Sequence, residues 1–321
     1  VTTVVTGDPA RAERARQAFP GARVVPDAAE VWATARSHDL AVVATSTDTH
    51  VPLAAAAVDA GMAVVVEKPL APSAEPARRL VDQARAAGTM LTVFHNRRWD
   101  AEHLTLRRLV DEGALGALMR YESRFERWRP DADARAWRHR LAPAEGGGVL
   151  LDLGVHLVDQ ARTVLGPVTG VYGEVAARRG GADDDVFLAL DHRAGGRSHL
   201  WASAVSAAPG PRLRVLGRSA AFAVEHLDGQ EDELRAGRRP GRPGFGTVPP
   251  DRWGRLRRGD EGVPVPSEPG RWTAFYQAVV AALRDGAPPP VDPGDAVTGL
   301  EVLDAARRSA AQGIVVSLPP A

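Results

Sequence analysis

Lys68, Asp152 and His156 are the residues of this chain best suited to move protons and stabilise charge. Lys68 is singular: of 40 lysines and arginines it is the one lysine. The chain also holds one asparagine, Asn96, and one isoleucine, Ile314. All three residue types have AT-rich codons, so a GC-rich genome that replaces them wherever chemistry allows leaves survivors where no substitute serves. Arginine cannot stand in for a compact, titratable ammonium, because its guanidinium is planar, stays charged and needs a wider pocket. Lys68 ends the apolar run Val64-Val65-Val66-Glu67-Lys68-Pro69, and Asn96 ends the next, Leu91-Thr92-Val93-Phe94-His95-Asn96. Ligands of open α/β sheets bind beyond the carboxyl ends of the strands, so both residues stand where a ligand would. Ile314 is the counterexample, since it lies in a plain late strand with no such role.

Asp152 and His156 fall in Gly146-Gly147-Gly148-Val149-Leu150-Leu151-Asp152-Leu153-Gly154-Val155-His156. A spacing of i and i+4 puts them on one helix face. The apolar residues around them predict a buried helix, in which an aspartate needs a partner. A histidine beside it can accept or donate a proton near neutrality. The bland alternative is a structural hydrogen-bonded pair. The glycine run lacks the G-x-G-x-x-G spacing of a phosphate loop and follows no core parallel strand.

Two further motifs follow strands. Thr45-Ser46-Thr47-Asp48-Thr49-His50 places short hydroxyls before a helix N-terminus, where they either touch a sugar or phosphate or simply cap the helix. In Asn96-Arg97-Arg98-Trp99-Asp100, Arg97 and Arg98 either bind phosphate or carboxylate or pair locally with Asp100 at a hinge. Trp99, Trp128 and Trp137 either stack on a sugar or pack in a core. The remaining histidines show no metal-ligand spacing, and no metal site is expected.

The elements that must position these residues divide in two. Strands are predicted at 1–5 (short and buried), 22–25, 40–45, 63–67 and 90–95, alternating with helices at 8–18, 28–37, 51–60 and 73–87. That βαβα rhythm with near-continuous apolar strands predicts a parallel, doubly wound sheet. After residue 118 the rhythm changes. Strands are expected at 119–125, 171–176, 186–190, 197–204, 213–216 and 221–225, separated by turn residues, which predicts an antiparallel sheet. A helix is expected at 149–165, a Gly-, Pro- and Arg-rich loop or arm at 228–270, helices at 272–283 and 296–311, and a last strand at 314–318. The division predicts domains 1–118 and 119–321.

Composition narrows the classes. A chain of 321 residues with 40 basic and 40 acidic side chains has no global field to attract nucleic acid or an anionic membrane. The absence of cysteine excludes disulfides, thiolate metal sites and thiol catalysis. The Arg-rich stretch 235–258 is interleaved with Pro and Gly and reads as a solvated loop rather than a nucleic-acid site. The Ala-rich run near 53–66 is broken by Asp59 and Gly61 and falls short of a membrane span. A soluble cytoplasmic protein is the resulting expectation.

Taken in order, Val-Ala-Thr-x-x-x-x-His at 43–50, Glu-Lys-Pro at 67–69, Phe-His-Asn-Arg-Arg-Trp-Asp at 94–100 and Gly-Gly-Gly-x-Leu-x-Asp-x-Gly-x-His at 146–156 resemble the Gfo/Idh/MocA oxidoreductase family. Gln230-Glu231-Asp232-x-Leu234-x-x-Gly237-x-x-Pro240 is similar to the branch containing scyllo-inositol dehydrogenases. The resemblance implies a Rossmann-like, NAD(P)-binding domain followed by an α+β domain with an open, mainly antiparallel sheet that joins copies into a homodimer or homotetramer. It implies hydride transfer between NAD(P) and a polyol, inositol or sugar. Lys68 would contact the reacting hydroxyl and the nicotinamide ribose, Asp152 would hold the substrate, and His156 would be the base in oxidation and the acid in reduction. Thr45, Thr47 and His50 would lie along the cofactor, with Glu67, Asn96 and Arg97 near it.

The sequence departs from that pattern in one respect. It contains no G-x-G-x-x-G, which a Rossmann unit carries after its first strand, and it begins with valine at what reads as the second strand. The resemblance therefore carries the expectation that roughly 30 residues, one strand–turn–helix, are missing ahead of Val1. Cofactor choice leans to NADP over NAD, because Thr6 ends the strand where an acidic residue would select NAD and Arg11 and Arg14 follow. Two other readings stay open: a non-catalytic dinucleotide- or sugar-binding regulator on the same fold, and a fragment whose exposed sheet edge pairs with another chain.

Overall fold

The computed structural model of the protein describes residues 1–131 and 141–319, so Trp137 and His139 lie outside the described residues. β1 (Thr3–Val5) and β2 (Arg23–Val25) pair in parallel across α1 (Pro9–Ala18). Asp8 caps α1, its carboxylate accepting from Arg11 N–H at 2.7 Å, and Pro9 takes the first helical position, where its missing N–H costs nothing. α2 (Ala29–Trp32) is shorter than the expected helix over 28–37 and gives way to a 3-10 turn at Ala35–Ser37. The Thr34 hydroxyl donates back to Glu30 O at 3.0 Å, a local bond that competes with helix continuation.

β3 (Leu40–Val43), β4 (Ala63–Val66) and β5 (Leu91–Val93) form a second parallel sheet, crossed over by α3 (Thr47–Asp59) and α4 (Ala74–Ala86). β4, the middle strand, is buried along nearly its whole length, as a parallel strand covered on both faces must be. The five parallel strands of this Rossmann-like part fall into two sheets, of two and three strands. The expectation of a buried first strand is corrected: Val5 is 41% exposed, and Val42 on β3 is 49% exposed. Each edge lacks a neighbouring strand to cover it.

After a 3-10 turn (Asn96–Trp99) and α5 (Ala101–Asp111), the chain enters a nine-stranded sheet. Its members are β6 (Leu118–Glu126), β7 (Val168–Ala176), β8 (Asp185–His192), β9 (Arg197–Ser203), β10 (Leu213–Gly217), β11 (Ala221–Val224), β12 (Arg255–Arg258), β13 (Glu261–Pro264) and β14 (Val316–Ser317). The order is β13-β12-β11-β10-β6-β9-β8-β7-β14, antiparallel throughout except for the parallel pair β6–β9. Between β6 and β7, a π-helical turn (Leu150–Gly154) leads into α6 (Val155–Leu165). The expected loop at 228–270 is a correction too. It holds the short helix α7 (Gln230–Arg235) and the β12–β13 hairpin, which widens the sheet. The alternation there is hidden because β12 carries Leu256 among three arginines and β13 carries Val263 between Gly262 and Pro264; Leu256 pairs with Phe222 and Val263. Gly259, with φ at 59°, supplies the left-handed residue that so tight a turn requires.

Two helices close the fold. α8 (Thr273–Asp285) packs Phe275 and Val279 with Val65 of β4. α9 (Pro293–Gln312), capped by Asp292 and stopped at Gly313, contacts both α4 and β7 and so ties the parallel strands to the large sheet.

Candidate active site

Four stretches of chain deliver the site. The carboxyl end of β4 presents Glu67 and Lys68, the turn after β5 presents Asn96 and Arg97, the π-turn presents Asp152, and α6 presents His156. All six line one open cleft. The strand-end rule thus locates the lysine and the asparagine, and the helix crosses to meet them.

Lys68 and Asp152 touch. The Lys68 ammonium donates to the Asp152 carboxylate and to the Asp152 carbonyl, each at 2.8 Å. Both side chains are mostly buried, at 15% and 23% exposure. An ammonium has three N–H donors; the third has no hydrogen-bond partner among the described residues. The helical turn that carries Asp152 is π rather than α, a geometry that recurs at functional sites.

The glycines explain how that turn comes so close. Gly148 has φ of 93°, and a Cβ there would sit 2.1 Å from the Asp183 carboxylate. That carboxylate accepts from Leu150 N–H at 2.7 Å and pins the start of the turn. Gly146 is equally confined, since a Cβ would meet the Thr47 side chain at 2.6 Å.

His156 is 4% exposed, and its Nδ1 is enclosed with no hydrogen-bond partner among the described residues. Burial pushes its pKa well below the usual histidine range, and the charges of Lys68 and Arg97 push the same way. The ring is therefore neutral and able to take a proton. Phe125 backs it at a centroid distance of 6.1 Å, and the Arg97 and Arg212 guanidiniums lie over the same phenyl ring.

Arg97 and Arg98 form the local ion pairs offered by one of the two readings, with more partners than Asp100 alone. Arg97 donates to Asp100 and to Glu231, each at 3.1 Å. Arg98 grips Asp159 of α6 with two donors, at 2.9 and 2.6 Å, and reaches Asp295 of α9 at 2.9 Å. Burial alone would raise the Asp159 carboxyl, but the charges around it, His95 and Arg98 among them, hold it at about 2. This strut fixes α6, and so His156, against the end of β5.

Thr45, Thr47 and His50 do not line the cleft. They stand beside it at the start of α3, which begins earlier than the expected residue 51. Thr45 is exposed and accepts from the Thr49 hydroxyl at 2.6 Å, whereas Thr47 is buried with its own hydroxyl unpartnered. His50 faces the carbonyls of Pro69 at 2.7 Å and Thr45 at 3.2 Å. Burial lowers its pKa, so the ring is neutral and has one N–H; the shorter contact assigns that proton to Nδ1. His50 thus fastens the residue next to Lys68 to α3.

Sequence reasoning missed Arg127, Arg129, Arg179, Ser203, Glu231 and Trp272, which also line the cleft. Among the described residues the indole there is Trp272, not Trp99 or Trp128. Trp99 packs on Phe275 at a centroid distance of 5.6 Å, and Trp128 is exposed. The Trp272 Nε1–H donates to Asp100 at 2.7 Å. Arg127-Trp128-Arg129 was visible as a charged run at the end of a strand, the one local signal among these six. A second cavity, of about 860 Å³ beside α5, is lined by Glu102, Asp228 and Glu233 and holds none of the Lys68, Asp152 and His156 set. Among the described residues no group of three or more His, Cys, Asp or Glu is placed to hold a metal ion.

The geometry suits a nicotinamide nucleotide at its reactive end. An enclosed imidazole with an unpartnered nitrogen, a spare ammonium donor and the strand-end residues Glu67 and Asn96 share one cleft. The N-terminus of α3 stands beside it, and backbone N–H groups at such a terminus suit a phosphate.

The chain is similar to known proteins along most of its length. Residues 1–95 match the profile of an oxidoreductase family with an NAD-binding Rossmann fold, and residues 103–223 match the GFO/IDH/MocA C-terminal domain. The chain is 33% identical over 316 residues to scyllo-inositol 2-dehydrogenase (NADP(+)) IolW of Bacillus subtilis, covering 96% of this chain and 86% of that protein. It is 36% identical over 283 residues to the uncharacterized oxidoreductase YdgJ of Escherichia coli, covering 85% and 79%. The solved structure of YvaA from Bacillus subtilis superposes with a TM-score of 0.91 at 31% identity, over 99% of this chain and 92% of that one.

Proposed function

Since the chain belongs to the Gfo/Idh/MocA oxidoreductase family, we propose that it is an NAD(P)-dependent dehydrogenase acting on the CH–OH group of a polyol, inositol or sugar, with Lys68, Asp152 and His156 at the reacting centre. The observation that carries this reading is the shared cleft: one ammonium and one neutral imidazole, from separate halves of the chain, face the same space.

A bound nicotinamide supplies the carbon that accepts or returns the hydride. The protein manages the proton and the charge. As a carbinol carbon loses hydride, its hydroxyl must lose a proton, and the neutral His156 ring takes it, a contribution of about 10²–10⁴-fold. Lys68 directs its spare N–H at the oxygen and stabilises the developing negative charge. Asp152 holds that ammonium in place and supports the substrate. In reduction the same imidazole returns the proton.

Glu67, Asn96 and Arg97 lie where they can position the nicotinamide end, with Thr45, Thr47 and His50 shaping the neighbouring wall. NADP is favoured over NAD. Asp8 is engaged in capping α1, while Arg11 and Arg14 are exposed near the end of β1, and IolW carries NADP(+) in its name. Copies associate as a homodimer or homotetramer through the sheet face bearing Phe187, His199 and Trp201, which are stacked on one another opposite the buried Val186, Leu188 and Leu190. No helix among the described residues is long and apolar enough to cross a membrane, and the reading places the protein in the cytoplasm.

The test is reduction of NADP or NAD, followed by nicotinamide absorbance, across a panel of polyols, inositols and sugars. Turnover with at least one, lost by about 10²–10⁴-fold in His156→Ala, is expected. Cofactor binding by fluorescence without turnover across the panel would favour the regulatory reading instead.

A further inference from the structure

Among the described residues the cleft is lined by Lys68 and five arginines and by the carboxylates of Glu67, Asp131, Asp152, Asp183 and Glu231, yet two of the arginines are left out of the pairing. Lys68 is matched by Asp152, Arg97 by Asp100 and Glu231, Arg235 by Glu231, and Arg179 by Asp184. Arg127 and Arg129 also line the cleft, and neither guanidinium has an ion pair or side-chain hydrogen bond among the described residues. Asp131 lines it as well but forms no ion pair with either.

The two arginines are held in place by their backbones. Arg127 N–H donates to Ser203 O at 2.8 Å, Arg129 N–H donates to Ala204 O at 2.8 Å, and Trp128 between them bridges Val205. The segment thus continues β6 along β9 in extended form. Alternate residues of a strand share a face: 127 and 129 line the cleft, whereas Trp128 does not. Arg179 braces the turn by donating to Arg129 O at 2.8 Å. Burial depresses the Arg127 pKa and the charge of Arg129 adds to this, while Glu231 and Asp152 pull it back up. A guanidinium cannot answer such crowding by deprotonating. Two adjacent forks without an ion-paired carboxylate have the geometry that matches an oxyanion.

We propose that the substrate is an anionic polyol, a hydroxylated chain or ring bearing a carboxylate or phosphate that Arg127 and Arg129 hold while its hydroxyl meets Lys68 and His156. This rests on the dehydrogenase reading above and adds the substrate's charge to it.

The test compares kcat/KM across matched substrates with NADP or NAD: a neutral hexitol and an inositol, the corresponding aldonate, and the corresponding hexose or hexitol phosphate. At least one anionic member is expected to be preferred by about 10- to 100-fold, the gain from hydrogen bonds to a charged group. The aldonate and phosphate arms say which oxyanion is taken. Arg127→Gln should remove most of that preference through KM rather than kcat, and Arg127→Lys, which keeps the charge but not the fork, should restore part of it. Equal or better use of the neutral members would overturn the proposal and leave the dehydrogenase reading standing. Should no member turn over, binding of the aldonate and of inorganic phosphate to the full chain, measured by calorimetry, decides the matter. Binding lost in Arg127→Gln supports the anion site, and no binding, or binding unchanged in that variant, overturns it.

Discussion

Lys68 uses two of its three N–H donors on Asp152, so the geometry of one side chain decides where its remaining donor points. Lys68→Arg keeps the charge and loses that geometry, because a planar fork cannot make both short contacts from the same spot. Turnover should fall by about 10²-fold or more, the loss typical when one oxyanion donor is removed, with far less effect on cofactor affinity measured by nicotinamide fluorescence. His156 governs pH dependence. A base works only when unprotonated, and burial holds its pKa below the ordinary 6.5. Oxidation should therefore stay near full rate as pH falls through 6.5, with the acid limb of kcat/KM on the acid side of that value. A limb centred at or above 6.5 would mean that another group is the base.

The helix that carries His156 depends on two local devices, and each can be broken separately. Asp159 and Arg98 lock α6 to the end of β5, and removing the carboxylate charge leaves a mostly buried guanidinium short of its partner. Asp159→Asn should cost about 3–5 kcal/mol in urea unfolding at pH 7. The carboxyl sits at about 2 in the folded protein, against an ordinary 3.8. Its contribution is thus complete above 3.8, and the gap between the two proteins should close only as pH falls below that value. Gly148→Ala tests the π-turn. The new methyl would collide with Asp183 at a positive φ, so both stability and turnover should drop, the latter because Asp152 moves. At this scale the sequence was legible where one residue sets the structure. Asp8 with Pro9 started α1, and singular lysine and asparagine residues marked strand ends. It was illegible where pairing sets the structure. The β12–β13 hairpin sets Leu256 among arginines and Val263 between Gly262 and Pro264, and Leu256 finds its partner in Phe222 across the sheet. The π-turn likewise follows from Asp183, some thirty residues further along the chain.

The proposed reacting centre would exist only in the assembled molecule, because β4, the turn after β5, the π-turn with α6, and the end of β6 each contribute to one cleft. Ordered motifs carried the identity of Lys68, Asp152 and His156, whose types announce their chemistry. They did not carry Arg127, Arg129 or Trp272, since a charged run in an arginine-rich chain does not show that its members are unpaired, and Trp272 reaches the cleft from a distant segment. They did imply the Rossmann-like parallel strands, which lie in two sheets. The convergence of the two halves is best tested by a double-mutant cycle on kcat/KM with Lys68→Met, His156→Ala and the pair together. If both groups serve one oxygen, an ammonium has no alkoxide to stabilise once the base is gone, and the double variant should be about as slow as the slower single one. Losses that multiply in full would place Lys68 and His156 in independent roles and contradict a shared reacting centre.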